Sequence, residues 1–245
     1  MNNERNPIIE RLHRQSLQQQ EAFLDHIAHR LGRERITTPP ARPFAGAPDF
    51  WRGFTLEAEE RISLFLSNWE SLGGVAKRVR SMDDARAYIA DLTDRMQAKR
   101  LVCEEHPLLA DLLPEGDKER EVTVWGGGDP AHLLKKAAEA DIGVAVADFA
   151  IAYTGTLVLT SSPARGRSIS LLPAVFIGIV RAADIRTKMG EVLSVIRTWD
   201  GGRMPAGIHF VTGPSRSADI ENDLTIGVHG PGSVHALVVD EVDGR

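Results

Sequence analysis

Two segments of this chain combine hydroxyl groups, glycines and arginines, the groups best suited to hold an anion. The first spans residues 148–173, and its candidate binding groups are Thr154, Gly155, Thr156, Ser161, Ser162, Arg165 and Arg167. The second spans residues 212–221, and its candidate groups are Gly213, Ser215, Arg216 and Ser217. Hydroxyl, backbone N–H and guanidinium groups together bind carboxylate or phosphate.

Both segments follow predicted strands. Residues 160–162 leave a strand over 157–159, and residues 212–217 leave a strand over 208–211. In open α/β sheets, ligands gather at loops that leave the C-terminal ends of strands. We therefore expect the two loops to meet in one anion pocket. The alternative is that their serines and arginines are ordinary solvated turn residues.

Histidines and carboxylates near these loops are candidates for proton transfer. His229, between Gly227 and Gly230, can act as an acid or base near neutral pH. It can equally be a turn residue that bonds the backbone. His209 and His235 alternate with apolar residues in predicted strands, which favours packing or surface positions. Asp148 is a weaker candidate at the start of the first segment.

Several well-known site patterns are absent or incomplete. There is no HExxH pattern, which disfavours a zinc hydrolase, and His26 and His29 lack a third ligand. Residues 213–217 lack the second glycine of a nucleophile elbow, which disfavours a serine hydrolase. A glycine turn at residues 126–128 can seat an anion at a helix N-terminus. However, Asp129 as N-cap with Pro130 at the first helical position favours a plain turn.

Composition indicates a globular, non-membrane protein. The chain has 245 residues, a net charge of −5 and a pI of about 5.9, which disfavours nucleic-acid binding. No apolar run reaches the roughly 18 residues of a membrane helix, and the N-terminus lacks a signal-peptide core, so we expect a cytoplasmic location. Cys103 is the only cysteine. An iron–sulfur cluster needs about four thiolates, so we expect this chain to bind no such cofactor.

The order of predicted elements suggests two regions. Residues 1–50 read as a helix over 7–32 followed by a proline-rich linker, and residues 51–245 as one domain. The helix either packs on a partner as an arm or folds back on its own domain. Strands that alternate with helices predict an α/β domain with an open, mixed, largely parallel sheet flanked by helices. We expect some antiparallel pairing within residues 156–180 and an amphipathic helix over 184–199, capped by Asp184.

Three segments in order, TGTLVL, SSPARGRSISLLP and FVTGPSRSADIENDLTIGVHGPG, resemble the lactate utilization protein C (LutC) family, whose domain is called LUD. The resemblance runs from about residue 140 to the last strand and more weakly back to the N-terminus. Tyr153 stands where that family's pattern has a glutamate. The resemblance implies the open α/β fold shared with ribose-5-phosphate isomerase, glucosamine-6-phosphate deaminase and the coenzyme A transferases. Relatives on that fold use carboxylates in proton and acyl transfer, which makes Glu221 the candidate general base; otherwise Asp219 and Glu221 only favour a helix start.

The resemblance also implies a function. It implies a component of an L-lactate utilization system that supports oxidation of L-lactate to pyruvate with iron–sulfur partner proteins, which would carry the redox centres. The alternative is a stand-alone enzyme of the same fold that acts on a small anion such as a sugar phosphate, a folate or an acyl-coenzyme A ester. A homo-oligomer is compatible with either function.

Overall fold

The computed structural model describes residues 7–38, 49–110, 119–220 and 223–241. It divides the chain into two compact units, Met1–Gly53 and Phe54–Arg245. The first unit contains helices α1 (Pro7–Arg30) and α2 (Asp49–Gly53). No helix in the described part of the chain is both long enough and apolar enough to span a membrane.

Helix α1 confirms the predicted N-terminal helix. It ends at Arg30, just before the predicted end at residue 32, because Gly32 adopts a left-handed φ of 63° and the N–H of Arg33 bonds the carbonyl of Ala28 at 3.1 Å. Ala28 is its buried residue, whereas apolar side chains such as Ile9 and Phe23 are exposed. Docking of this helix on a partner stays a prediction.

The second unit holds the remaining elements. Its helices are α3 (Ala58–Ser71), α4 (Met82–Met96), α5 (Pro130–Glu139), α6 (Ser168–Leu171) and α7 (Met189–Thr198). Its strands are β1 (Val75–Val79), β2 (Arg100–Glu104), β3 (Glu121–Trp125), β4 (Ile142–Val146), β5 (Phe149–Ile151), β6 (Thr156–Thr160), β7 (Val175–Arg181), β8 (Ile185–Arg186), β9 (Ile208–Val211), β10 (Arg216–Ile220), β11 (Asp223–Ile226) and β12 (Ser233–Val239).

A six-stranded parallel sheet forms the centre of this unit, in the order β1-β12-β7-β4-β2-β3. Strand β4 is buried along its whole length, as parallel strands covered on both faces are. One face packs against α4, where Ile89 is fully buried. The other face packs against α3, whose Phe65 and Trp69 are fully buried. The predicted α/β class with a largely parallel sheet is confirmed.

The antiparallel pairing occurs in a second sheet of four strands, in the order β8-β5-β6-β9. Strand β6 pairs antiparallel with both β5 and β9, and in the latter pair Leu157 faces Val211 and Thr160 faces Ile208. A separate hairpin joins β10 to β11. The sequence predicted one mixed sheet, whereas the structure has two sheets and a hairpin. The antiparallel strands form a sheet of their own because β6 pairs with β5 and β9, and neither of these belongs to the parallel sheet.

Two predicted helix starts are wrong. Asp184 lies in a single 3-10 turn and pairs with Arg181, while Ile185 enters strand β8, and α7 begins only at Met189. The backbone of Ile185 pairs with β5 and its side chain is buried. This strand pairing outweighs the local tendency of Asp184 to cap a helix. Likewise Asp219 lies in strand β10 and not at a helix start, because its backbone belongs to the hairpin.

Candidate functional site

The C-terminal edge of the parallel sheet gathers polar groups from three strands. Strand β2 ends at Glu104, β3 ends at Trp125, and β4 is followed by Asp148. Parallel neighbours end at the same edge, where ligands of open α/β sheets bind. The segment after β6, which carries Ser161 and Arg165, returns to this edge, since Arg165 contacts both Glu104 and Asp148.

Arg165 bridges two carboxylates. Its Nε donates to Glu104, and its Nη1 donates to Oδ2 of Asp148 at 2.6 Å. The same Asp148 oxygen accepts bonds from the backbone N–H and the hydroxyl of Thr160, at 2.7 and 3.0 Å. The Glu104 side chain is 2% exposed and that of Arg165 is 14% exposed. Arg165 is therefore already engaged by acidic partners, which limits its capacity to bind an additional anion.

The electrostatics of this cluster follow from its burial. Burial raises the pKa of Glu104, and the positive charge of Arg165 only partly opposes this rise. Burial also lowers the pKa of nearby His106, and Arg165 lowers it further. Nδ1 of His106 accepts a bond from the N–H of Leu108 at 3.2 Å, so the neutral ring carries its proton on Nε2.

Ser161 and His209 form a second polar contact beside the cluster. The Ser161 hydroxyl oxygen lies 3.0 Å from Nε2 of His209. Antiparallel pairing sets the end of β6 beside the start of β9, and the N–H of Ser161 donates to the carbonyl of Gly207 at 2.8 Å. Burial lowers the pKa of His209, and the charge of Arg167 lowers it further. The imidazole is thus neutral at neutral pH and can exchange a proton with a bonded hydroxyl.

A cleft of about 590 Å³ opens next to this contact. Its wall includes Trp125, Gly127, Gly128, Pro130, Leu133, Ser161, Ser162, Pro163, Arg165, Gly166, Arg167 and Ala206. A chamber of about 10 Å³, lined in part by His209 and Ser170, shares Ser161, Arg165, Gly166 and Arg167 with the cleft. The volume lies within the range of small-molecule sites, and the walls combine an aromatic ring, glycines, hydroxyls and arginines.

Glycines shape the cleft wall. A Cβ on Gly166 would lie 2.2 Å from the indole ring of Trp125, so only glycine lets this loop pack against that ring. In the neighbouring turn, the Asp129 carboxylate accepts bonds from the N–H groups of Ala131 and His132, at 3.3 and 3.1 Å. Asp129 is therefore the N-cap of α5, as predicted, and its carboxylate already accepts hydrogen bonds from the N–H groups at this helix start.

The Thr154–Gly155–Thr156 motif lies at the other end of the four-stranded sheet. Gly155 has a left-handed φ of 57°, and a Cβ there would lie 2.8 Å from backbone atoms of Asn68 and Trp69. The Thr156 hydroxyl contacts those of Thr154 and Thr212, at 2.7 and 2.9 Å. The close approach at Gly155 packs this turn against helix α3, and the hydroxyl contacts join the start of β6 to the end of β9; both roles are structural.

The second predicted loop packs against the same region. Gly213, with a φ of 80°, lies against Leu72, and Ser215 exchanges backbone bonds with Pro231 and Gly227. Ser217 pairs with Thr225 in the hairpin.

The expectation that the two loops form one pocket is wrong. Strands β6 and β9 are antiparallel, so the segments that follow them leave opposite ends of the sheet. Of the predicted groups, Ser161, Ser162, Arg165 and Arg167 line the cleft; Thr154, Gly155, Thr156, Gly213, Ser215 and Ser217 do not.

The two predicted catalytic residues have different outcomes. Glu221 lies outside the described residues. His229 lies in an exposed bend between β11 and β12 and is not part of the cleft wall. Tyr153, at the position where a glutamate was expected, is 50% exposed and packs edge-on against Phe54, with ring centroids 5.8 Å apart.

Comparison with known proteins places this chain in a family. The profile of the LUD domain matches residues 62–239, which include the cleft, the Thr-Gly-Thr motif and the second loop. The chain belongs to the LUD domain family. Relatives named lactate utilization protein C include one from Halalkalibacterium halodurans, 31% identical over 229 residues, and one from Bacillus subtilis, 32% identical over 238 residues. The alignments cover 92% of this chain and 99% and 98% of those relatives.

A solved structure supports the fold of this LUD protein. The crystal structure of a DUF162 family protein from Deinococcus radiodurans superposes with a TM-score of 0.51 at 21% sequence identity. The match covers 75% of this chain and 99% of that one. The resemblance inferred from the three sequence segments is thus confirmed at the level of family and of α/β architecture.

Proposed function

We propose that this LUD protein is a component of an L-lactate utilization system and supports the oxidation of L-lactate to pyruvate with iron–sulfur partner proteins. The observation that carries the proposal is its similarity, along 92% of the chain, to proteins named lactate utilization protein C. Such breadth covers both the N-terminal helix region and the α/β domain, so the similarity is not confined to a common structural unit.

In this proposal the iron–sulfur clusters that carry the electrons belong to other chains. Oxidation of L-lactate to pyruvate releases two electrons and two protons, which require an acceptor. Cys103 is the chain's single cysteine, and burial raises its pKa to about 11. A protonated, buried thiol is a poor metal ligand, and a cluster requires about four thiolates. In this proposal the iron–sulfur partners take the electrons.

The cleft is the proposed contribution of this chain. Its volume of about 590 Å³ admits a small carboxylate such as L-lactate, and Ser161, Ser162 and Arg167 supply hydrogen-bond donors on its wall. Guanidinium and hydroxyl donors bind carboxylates through charge-assisted hydrogen bonds. The chain would bind or position the substrate while its partners accept the electrons.

The test is a reconstitution. L-lactate-dependent dye reduction is measured for the chain alone, for its iron–sulfur neighbours alone, and for the mixture. We expect reduction in the complete mixture and its loss when this chain is left out. If omission changes nothing, the lactate assignment is wrong for this protein.

A second candidate function is favoured by one observation, the contact between Ser161 and His209 beside the cleft. A hydroxyl paired with a neutral imidazole is suited to proton transfer to or from a bound substrate. It would fit a stand-alone enzyme acting on a sugar phosphate, a folate or an acyl-coenzyme A ester. Turnover of one of these compounds by the purified chain, abolished by His209→Gln, would favour this function over the first.

A further inference from the structure

Arg167 differs from Arg165 in its electrostatic environment. Arg165 is paired with Glu104 and Asp148, whereas no carboxylate in the described part of the chain lies within ion-pair distance of Arg167. Arg167 is exposed and lines both the cleft and the small chamber. An uncompensated guanidinium on the wall of a concave site attracts an anion, and two parallel N–H groups fit a carboxylate.

The Ser161–His209 contact lies close to this guanidinium. Ser161, His209 and Arg167 all line the chamber, and the positive charge of Arg167 acts on the imidazole. The chamber has a volume of about 10 Å³, which holds about one water molecule. It therefore has room for a single oxygen-sized group, while the remainder of a ligand lies in the cleft.

We propose that Arg167 and the Ser161–His209 pair together bind a small 2-hydroxy or 2-oxo carboxylate. Arg167 takes the carboxylate, and the oxygen on the adjacent carbon occupies the chamber. The Ser161 oxygen accepts a hydrogen bond from a 2-hydroxyl while Ser161 donates to Nε2 of His209; in the other tautomer Nε2–H donates to Ser161, whose hydroxyl then donates to a 2-oxo group. The substrate class rests on the proposed function, whereas the site itself rests on the contacts of these three residues.

The pairing of Arg165 explains why the anion is assigned to Arg167. Moving Arg165 onto a ligand would leave Glu104 and Asp148 without their shared cation in a buried place, which is strongly unfavourable. Arg167 has no carboxylate within ion-pair distance in the described part of the chain, so binding a ligand there breaks no such pair. Ser162, also on the cleft wall, is placed to support the bound carboxylate.

Binding to the purified, full-length chain tests the site without any partner protein. Isothermal titration calorimetry would compare L-lactate, pyruvate, acetate and inorganic phosphate. We expect L-lactate and pyruvate to bind more tightly than acetate, which lacks the second oxygen, and more tightly than phosphate. Arg167→Gln should weaken L-lactate binding at least about tenfold, the loss expected for a charge-assisted pair. The matched control Arg197→Gln, on the exposed face of α7, should change affinity less than about twofold.

Two further variants test the chamber. Ser161→Ala and His209→Gln should bring the affinity for L-lactate close to that for acetate, while the affinity for acetate itself stays near the wild-type value. Circular dichroism would establish that each variant is folded. The proposal is overturned if Arg167→Gln binds L-lactate as tightly as the wild type does, if acetate or phosphate matches L-lactate in the wild type, or if none of the four compounds binds.

The outcomes separate this proposal from the lactate assignment. Failure of L-lactate and pyruvate to bind, together with dye reduction that still depends on the chain, would overturn the site and leave the assignment standing. Binding through Arg167, together with dye reduction that is unchanged when the chain is omitted, would support the site and overturn the assignment.

Discussion

The hydroxyl oxygen of Ser161 lies 3.0 Å from Nε2 of His209, although 48 positions separate the two residues in the chain. The antiparallel register of β6 and β9 creates this contact: Leu159 faces His209 and Thr160 faces Ile208, so Ser161, whose N–H bonds the carbonyl of Gly207, is a diagonal neighbour of His209. The same register carries the Thr212 hydroxyl to Thr156 at the opposite end of the sheet. The β6–β9 ladder thus places the Ser161–His209 contact beside the cleft and the Thr156–Thr212 contact at the other end of the sheet, next to the turn that packs on helix α3.

Arg167 should control the protonation of His209. Burial and the charge of Arg167 both lower the pKa of this imidazole, whose Nε2 faces the Ser161 hydroxyl. In the wild type we expect NMR titration to give a pKa below the usual 6.5. Arg167→Gln removes the repelling charge and should raise that pKa. An unchanged His209 titration in this variant would show that the guanidinium does not act on the ring.

Arg165 should be essential for stability. Arg165→Met leaves Glu104 and Asp148 uncompensated, and loss of one member of a buried ion-pair cluster costs about 3–5 kcal/mol. Urea denaturation near neutral pH measures the free energy of unfolding. The double variant Glu104→Gln with Arg165→Met removes one buried charge as well and should recover part of the loss. Equal stability of the single and double variants would contradict this account.

The same cluster predicts a pH dependence. Burial raises the pKa of Glu104 in the folded state above its ordinary value of 4.5. Its contribution to stability is therefore fully present below about 4.5 and is lost as the pH rises through the folded-state pKa. Arg165→Met removes the charge that opposes this rise, so the loss should extend to higher pH. The measurement is the free energy of unfolding across the pH range. The wild type should show this pH-dependent contribution, and the control Glu104→Gln should lack it.

His235 should give the free energy of unfolding a pH dependence of the opposite sign to that of Glu104. It is 6% exposed, its Nδ1 contacts the Tyr88 hydroxyl at 2.8 Å, and its Nε2 contacts the Ser233 hydroxyl at 3.0 Å. Burial, with the charge of Arg95 as a smaller cause, lowers its pKa to about 4. Its stabilisation is present above about 6.5 and is lost as the pH falls toward 4, a change on the order of 3 kcal/mol. His235→Gln should flatten this part of the stability profile; an equally steep profile would count against it.

Gly155 should tolerate no side chain. Its φ of 57° and the 2.8 Å approach of a Cβ to the backbone of Asn68 and Trp69 mean that Gly155→Ala must both strain the backbone and move helix α3. We expect a loss of at least about 1–2 kcal/mol in the free energy of unfolding. Gly190→Ala is the matched control, because a Cβ in that helical position meets open space and should be neutral or stabilising by up to about 1 kcal/mol. Thermal and urea denaturation measure both variants.

Local patterns predicted most of the elements. The Asp129 cap of α5 confirms a prediction made from residues at the helix start, and the positive φ of Gly32 and the Ser81 cap of α4 are further signals that lie within a few residues of a helix end. Such signals succeed because capping is satisfied by neighbouring backbone groups. Asp184 carried the same kind of signal but failed, because strand pairing of Ile185 with the distant β5 outweighed it.

Sequence patterns alone predicted the family, the alternation of strands and helices, and the candidate residues Ser161, Ser162, Arg165 and Arg167, which line the cleft. Which of the polar loops come together could be seen only in the folded chain. That arrangement depends on strand direction and register, which join residues far apart in sequence and leave no local pattern. For the same reason, the pairing of Arg165 with Glu104 and of Ser161 with His209 appeared only after the chain was folded.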